Sequence, residues 1–289
     1  MAFTPEQTAK LDDLLRNESD VAYKRRVRTM LEYLALEPGL AVFDCGAGMG
    51  FYALCMTELV AGLRIWGLDR DEHALAFARQ ALAGRPVQLS RGDIYQLPYP
   101  DATFDRVVMT EVLEHLRDDA AGLREVLRVL RPGGILALTV PYARYPWWYD
   151  PINRAAMALR GRPIRQGPLA GIWANHERLY EREQLEHVVR EAGLVAEPTA
   201  FLTHYCFPGT QTLVYTVGKG LIERGLLPEF ISRSTHRFRG RENRRSRWNP
   251  LNWALAVINW CDRWNDDPER LARKETFVNL AARATKPHG

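Results

Sequence analysis

The sequence predicts an α/β protein built on a doubly wound, largely parallel sheet. An apolar run within residues 42–50 reaches an acid and then turns into three glycines at alternate positions. A second apolar run, residues 64–68, ends at Asp69, 25 residues after Asp44. Strands that end in acids and glycine loops, each followed by a helix, are typical of open sheets that bind ligands at their carboxyl ends.

Two amphipathic helices are predicted before the first strand, within residues 5–35. Apolar residues recur there at helical spacing: Leu11, Leu14 and Leu15 in the first helix, and Val27, Met30, Leu31 and Leu34 in the second. Four aromatic and basic residues are expected between these helices: Tyr23, Lys24, Arg25 and Arg26.

The glycine loop after the first strand holds Gly46, Gly48 and Gly50. Glycine permits positive φ, so main-chain N–H groups can approach a ligand where the next helix begins. The pattern is DxGxGxG, which differs from the GxGxxG pattern of dinucleotide-binding loops. A tight strand-to-helix turn without a ligand is the simpler alternative.

Further strands follow in order. Residues 87–89 are a candidate third strand, followed by Asp93 and Ile94, and residues 97–116 contain the fourth strand with its flanks. A helix with apolar residues at three- and four-residue steps then leads through a Pro-Gly-Gly turn to a fifth strand at 135–140. These landmarks resemble the class I S-adenosylmethionine-dependent methyltransferases, in particular the small-molecule enzymes of the quinone-biosynthesis type. The resemblance covers about residues 40–141.

The resemblance implies a Rossmann-like sheet of seven strands, the last of them antiparallel, and S-adenosyl-L-methionine as cofactor. The residues that match the family's cofactor positions are Asp44, Gly46, Ala47, Gly48, Asp69, Arg70, Asp93, Ile94 and Glu111. Among them, Asp69 is expected at the ribose hydroxyls, as acids at this place are in doubly wound folds. In the family, the segment before the first strand often folds over the cofactor, so Tyr23 or Arg26 is expected at its carboxylate, unless this segment is a solvated basic face.

An acceptor site is expected beyond the fifth strand, where five aromatic residues fall within eight positions: Tyr142, Tyr145, Trp147, Trp148 and Tyr149. They are expected either to line a flat or apolar acceptor or to form the core of a cap. His176 is the first candidate for a general base, followed by His115 and His204, because histidine titrates near neutral pH. Each of these histidines also has a purely structural interpretation. No metal site is predicted.

The C-terminal part is predicted to hold a sixth strand at 194–202, a last strand at 276–284 and a long insertion between them. Seven arginines lie within residues 233–247, before a helix that opens at Asn249-Pro250 and carries several tryptophans. Residues 233–264 suit an anionic membrane surface or a phosphate-bearing acceptor. A solvated loop with core tryptophans is the alternative, and nucleic acid is disfavoured because no nucleic-acid module accompanies the patch.

Composition supports a globular enzyme: 289 residues, 46% hydrophobic, with a net charge of +4. The four cysteines have no CxxC spacing, and the sequence shows neither a signal peptide nor an apolar run long enough for a bilayer, so a cytoplasmic setting is expected, with peripheral membrane contact as an addition. The predicted units are 1–37 (N-terminal helices), 38–141 (cofactor core), 142–193 (acceptor cap) and 194–289 (end of the core, with the insertion at 206–274).

The predicted activity is transfer of a methyl group to a small-molecule acceptor that is aromatic, apolar or lipid-like. Two other functions remain open. A nicotinamide-dependent dehydrogenase would share the strand–acid–glycine pattern, although the glycine spacing disfavours it. A non-catalytic cofactor-binding module associated with a membrane would keep the loop but lack a closed acceptor pocket.

Overall fold

A mixed sheet organises the part of the chain that the computed structural model describes, which is residues 3–208, 238 and 250–288. The strands are β1 (Ala41–Cys45), β2 (Arg64–Asp69), β3 (Val87–Arg91), β4 (Phe104–Thr110), β5 (Leu130–Pro141), β6 (Val195–Ala196), β7 (Ala200–Leu202) and β8 (Asn279–Thr285). Their order is β3-β2-β1-β4-β5-β8-β6, and β7 also pairs with β8. Strands β1 to β5 run parallel, whereas β8 is antiparallel to its partners. The predicted doubly wound α/β sheet with an antiparallel last strand is confirmed.

Helices cover both faces of this sheet. They are α1 (Pro5–Leu14), α2 (Val21–Leu34), α3 (Phe51–Leu59), α4 (Glu72–Ala81), α5 (Asp119–Val129), α6 (Pro151–Arg160), α7 (Arg182–Glu191), α8 (Pro250–Asp262) and α9 (Pro268–Leu271). Short 3-10 turns lie at Leu113–His115, Gly171–Trp173 and Arg263–Asp266. Alternation along β4 divides the core, because successive strand residues point to opposite faces. Val107 and Met109 pack with α5 and α7, and Val108 packs with α1 to α4.

The N-terminal helices are confirmed, but the position predicted for the basic segment is wrong. Tyr23, Lys24, Arg25 and Arg26 belong to the first turns of α2 rather than to a connection between the helices. The carboxylate of Asp20 explains the early start, because it accepts hydrogen bonds from the N–H groups of the second and third residues of the helix.

Two C-terminal strands differ from their predicted bounds. The predicted sixth strand, 194–202, is divided into β6 and β7, with Pro198 between them. Proline has no N–H group to donate to a neighbouring strand, so the ladder with β8 is interrupted there. The last strand begins at Asn279, three residues later than predicted, and ends at Thr285.

Most of the predicted arginine-rich stretch, 233–247, lies outside the described residues, as does Asn249. The tryptophan-bearing helix is present as α8, which ends at Asp262 and is followed by the 3-10 turn Arg263–Asp266. It packs on α2, where Lys24 Nζ donates to Asn259 Oδ1 at 2.7 Å and Arg25 pairs with Asp262. Among the described residues, no helix combines the length and apolar character needed to cross a bilayer.

Candidate active site

The loop after β1 has a backbone that requires glycine. Gly46, Gly48 and Gly50 have φ values of 81°, 51° and 83°, in the left-handed region that side chains disfavour. A Cβ on Gly46 would lie 2.3 Å from Val112 Cγ2, and a Cβ on Gly50 would lie 2.7 Å from Leu82 Cδ1. A Cβ on Gly48 would meet no described atom within 4 Å. The loop therefore packs tightly on two sides and keeps open space at its middle glycine.

Asp69 connects this loop to the end of β2. Its Oδ2 accepts a hydrogen bond from the Gly48 N–H at 2.7 Å, and its Oδ1 accepts one from the Asp71 N–H at 2.8 Å. The N–H groups of Gly46 and Ala47 donate to the Leu68 carbonyl at 2.8 and 3.0 Å. The loop and the carboxylate are thus held in one fixed arrangement at the carboxyl ends of two neighbouring strands.

A cavity of about 550 Å³ opens at this edge of the sheet. Its walls are Cys45, Gly46, Leu68, Asp69, Arg70, Gly92, Asp93, Ile94, Tyr95, Glu111, Val112, His115, Leu116, Arg117, Asn175 and Glu177. It lies where β2 and β4 flank β1, at the switch point where α/β sheets bind ligands. Six of the nine predicted cofactor residues line it, whereas Asp44, Ala47 and Gly48 are not among its lining residues.

Asp44 is a buried acid beside this cavity. Its side chain is 2% exposed, and Oδ2 has no hydrogen-bond partner among the described residues. Burial raises the pKa of Asp44 to about 7, and the nearby charge of Asp69 contributes in the same direction. This carboxyl group is therefore partly protonated at neutral pH.

Glu111 stands at the end of β4 with a φ of 53°, unusual for a residue with a side chain. Arg26 Nη1 lies 2.5 Å from its Oε2, and Asn279 Nδ2 lies 3.2 Å from each carboxylate oxygen. Its N–H donates to the Thr139 carbonyl at 3.0 Å. Arg26, a candidate for contact with the cofactor, is thus placed by the structure on the carboxylate of a cavity residue.

A cluster of Glu114, His115 and His176 lies beside Glu111, and His115 is its member in the cavity wall. The ring centroids of the two histidines are 4.6 Å apart, and His176 Nε2 lies 3.8 Å from Glu114 Oε1. Burial lowers the pKa of His176 to about 3, and proximity to His115 lowers it as well. His176 is therefore neutral at physiological pH and a weak proton acceptor, which makes it less suited to general-base catalysis than the sequence suggests.

His176 reaches the site from a distant segment of the chain. The Glu177 N–H donates to the Glu114 carbonyl at 2.9 Å. The guanidinium of Arg178 donates to the Leu116 carbonyl at 2.8 Å and to Asp119 Oδ2 at 3.1 Å. The Tyr180 hydroxyl donates to the same Asp119 oxygen at 2.6 Å. Arg178 and Tyr180 are thus positioning residues that hold the histidine segment against the end of β4.

His204 lies elsewhere, outside the lining of the cavity. Its Nδ1 is 2.5 Å from the Thr276 carbonyl oxygen, and its ring packs edge-on against Trp148 and Phe277. Burial lowers the pKa of His204 as well. The structure therefore places this candidate base in a packed region next to β8.

The predicted acceptor aromatics do not line the cavity either. Tyr145 and Tyr149 are buried in a separate small core, with Trp148 packed against it. Tyr142 is buried in the main core, and Trp147 is 64% exposed. Their placement matches the alternative in which the cluster forms the core of a cap.

Nine of the sixteen wall residues were not predicted as site residues, and four of these have large polar or charged side chains: Tyr95, Arg117, Asn175 and Glu177. Each lies within two residues of a predicted position, at the start of a loop whose course the sequence does not specify. Asn175 has a φ of 59°, and its carbonyl oxygen is 3.0 Å from His115 Nδ1. The sequence could have indicated these four residues only through their closeness along the chain to Ile94, His115 and His176.

Comparison with known proteins agrees with this geometry. Residues 43–138 match the family model described as "Methyltransferase domain". The chain is 41% identical over 113 residues to 2-methyl-6-phytyl-1,4-hydroquinone methyltransferase 1 of Oryza sativa, covering 37% of this chain and 34% of the relative. It is 32% identical over 179 residues to 27-O-demethylrifamycin SV methyltransferase of Amycolatopsis mediterranei, covering 61% of each. The matched stretches thus span less than two thirds of these relatives.

A solved structure shares the fold. Phosphoethanolamine N-methyltransferase 2 of Haemonchus contortus, in complex with S-adenosyl-L-methionine, superposes with a TM-score of 0.53 at 16% identity. The match covers 91% of this chain and 52% of that one.

Proposed function

We propose that this chain, whose residues 43–138 match the methyltransferase-domain model, moves a methyl group from S-adenosyl-L-methionine to a small aromatic or lipid-like acceptor. The observation that carries the proposal is the cavity with Asp69 at one end and the Glu111–His115 wall at the other. The names of the two relatives denote methyl transfer to a phytyl hydroquinone and to a demethylated rifamycin, which supports an aromatic, apolar acceptor.

The residues of the cavity fit the proposed cofactor. A carboxylate at the end of β2 is placed to accept hydrogen bonds from ribose hydroxyls. Ile94 supplies an apolar surface for a base, with Asp93 next to it. The free space beside Gly48 lets a ligand come close to the backbone. At the other end, carboxylate and imidazole groups suit the reacting end of the cofactor and a polar acceptor atom.

When bound, S-adenosylmethionine supplies a methyl group on a sulfonium, which is already a good electrophile. The chain's task is to align the acceptor and exclude water, and alignment of this kind accounts for roughly 7–11 kcal/mol in well-oriented reactions. For a hydroxyl acceptor, His115 is placed to take the proton. Its Nδ1 is engaged by the Asn175 carbonyl, which leaves Nε2 as the nitrogen with a free electron pair.

Direct measurement tests the proposal. Calorimetry should show binding of S-adenosylmethionine and no binding of NAD. Radiolabelled methyl should pass from the cofactor to 2-methyl-6-phytyl-1,4-hydroquinone or to a simpler alkylated hydroquinone. Cofactor binding without transfer to any phenolic or lipid acceptor would favour the non-catalytic module, and NAD binding would favour the dehydrogenase.

Asp69→Ala is expected to raise the dissociation constant of S-adenosylmethionine at least tenfold, about 1.4 kcal/mol. The carboxylate is the predicted partner of the ribose, and it also fixes the loop through the Gly48 N–H. Calorimetry measures the constant, with circular dichroism to verify the fold. Glu191→Ala, which removes an acid from the outer face of α7, should bind normally. Unchanged affinity in Asp69→Ala would remove this residue from the cofactor site.

Residues 233–264 are proposed to touch an anionic membrane surface. Helix α8 exposes Trp253, Val257 and Trp260, at 69%, 52% and 56%, and seven arginines precede it in the sequence. Tryptophan and arginine together favour the interface of anionic bilayers. The chain should sediment with phosphatidylglycerol vesicles and not with phosphatidylcholine vesicles, and Trp253→Ser with Trp260→Ser should weaken binding about tenfold. Equal binding to both kinds of vesicle would contradict this.

A further inference from the structure

Three metal-ligating side chains meet beside the cavity. Glu114, His115 and His176 each offer a donor atom, and these atoms lie within 4.8 Å of one another. Two of them are neighbours in the 3-10 turn after β4, and the third comes from the segment that Arg178 and Tyr180 hold in place. His115 itself lines the cavity, so the cluster has access to whatever occupies it.

Among the described residues, no hydrogen-bond partner accounts for the burial of the Glu114 carboxyl group. Its side chain is fully buried, and within the described part of the chain neither carboxylate oxygen has a hydrogen-bond partner. The His176 Nε2 atom lies 3.8 Å from Glu114 Oε1, beyond hydrogen-bond range. A buried, unpaired carboxyl group is costly, and a bound cation would offset that cost.

Both histidines are prepared to act as ligands. The Asn175 carbonyl at 3.0 Å fixes the proton of His115 on Nδ1, which orients the ring and leaves Nε2 for coordination. His176 has its Nε2 on the side of the Glu114 carboxylate, 3.8 Å from Oε1.

We propose that Glu114, His115 and His176 bind a divalent transition-metal ion beside the cavity. Two imidazoles and one carboxylate suit Zn²⁺, Mn²⁺, Fe²⁺ or Co²⁺ better than Mg²⁺ or Ca²⁺, which prefer oxygen ligands. Bonds of about 2.0–2.2 Å place ligand atoms roughly 3–4 Å apart. The 3.8 Å between His176 Nε2 and Glu114 Oε1 already fits this range. The three donor atoms lie within 4.8 Å of one another, so movements of about 1 Å at the ends of the side chains bring them to coordination distance.

Three protein ligands leave coordination positions open, as in catalytic metal sites. The role of the metal rests on the proposed function: an open position would hold the acceptor oxygen and favour loss of its proton to solvent. His115 Nε2 would then serve as a ligand rather than as the proton acceptor. The metal would thereby select acceptors that carry an ionisable hydroxyl group.

Cobalt titration of the full, tag-free chain tests the site. After chelator treatment and dialysis, Co²⁺ should bind at one ion per chain and give visible absorption bands from ligand-field transitions. Glu114→Gln and His176→Ala should each weaken Co²⁺ binding at least tenfold. His187→Ala, which removes an exposed histidine from α7, should bind Co²⁺ as the parent does. The proposal would be overturned if the parent bound no stoichiometric Co²⁺, or if both cluster variants bound Co²⁺ as tightly as the parent.

The titration needs neither cofactor nor acceptor, so its outcome is separate from that of the proposed function. Circular dichroism and S-adenosylmethionine calorimetry on each variant verify that the fold remains. If Co²⁺ binds but no acceptor is methylated, the metal site stands and the proposed function fails. If the chelated chain transfers methyl at the full rate, the proposed role of the metal is overturned while the function stands.

Discussion

Asp44→Asn should abolish a pH-dependent loss of stability that amounts to about 2–3 kcal/mol between pH 5 and pH 8 in the parent chain. The cause is the buried, unpaired Asp44 carboxyl group, whose pKa burial raises from 3.8 to about 7. Between these two values the folded chain binds a proton that the unfolded chain has released. Stability therefore falls as pH rises through this window and levels off above pH 7.

Urea unfolding at pH 5, 6, 7 and 8 measures the effect. The free energy of unfolding of the parent should decline relative to that of Asp44→Asn, with most of the difference present by pH 7. Asp105→Asn is the matched control, since the pKa of Asp105 is lowered by hydrogen bonds from Ala41 and Arg131 that outweigh its burial. Its ionisation is complete in both states above pH 5, so that variant should differ from the parent by a constant amount. Parallel curves for the parent and Asp44→Asn would contradict the raised pKa.

The cavity residues at strand ends could be predicted from the sequence for a simple geometric reason. Parallel strands finish at one edge of the sheet, so Asp69, Asp93 and Glu111 had to come near one another once β2, β3 and β4 were recognised. Each of these residues is followed or preceded by an apolar run that fixes its place along a strand. The local pattern of apolar runs and acids was therefore enough to place these three residues at the edge of the sheet.

Residues that depend on tertiary packing could not be read in the same way. The aromatic run at 142–149 is compatible with a ligand wall and with a cap core, and only the packing of Tyr145 and Tyr149 in their own cluster shows which arrangement is present. The proximity of His176 to Glu114 depends on side-chain contacts between segments about 60 residues apart. No periodicity or spacing within either segment reveals that contact.

The Glu114–His176 pair is expected to have the largest effect on turnover. Glu114→Gln and His176→Ala should each lower kcat at least 100-fold, about 2.7 kcal/mol in the activation barrier. The dissociation constant of S-adenosylmethionine should stay within twofold, because neither side chain lines the cavity. Single-turnover transfer of radiolabelled methyl, with calorimetry on the same samples, separates the two quantities. His187→Ala should keep the parent rate.

The double variant shows whether the two side chains act as one unit. Residues that serve a single step are strongly non-additive, so Glu114→Gln combined with His176→Ala should be little slower than either single variant. Independent contributions would multiply to a loss of about 10⁴. That larger loss, or a fall in cofactor affinity equal to the fall in rate, would contradict a joint role. Nearly equal rates in all three variants would indicate that losing either side chain disables the acceptor side of the cavity. Glu114 and His176, which lie 3.8 Å apart, would then act as one unit.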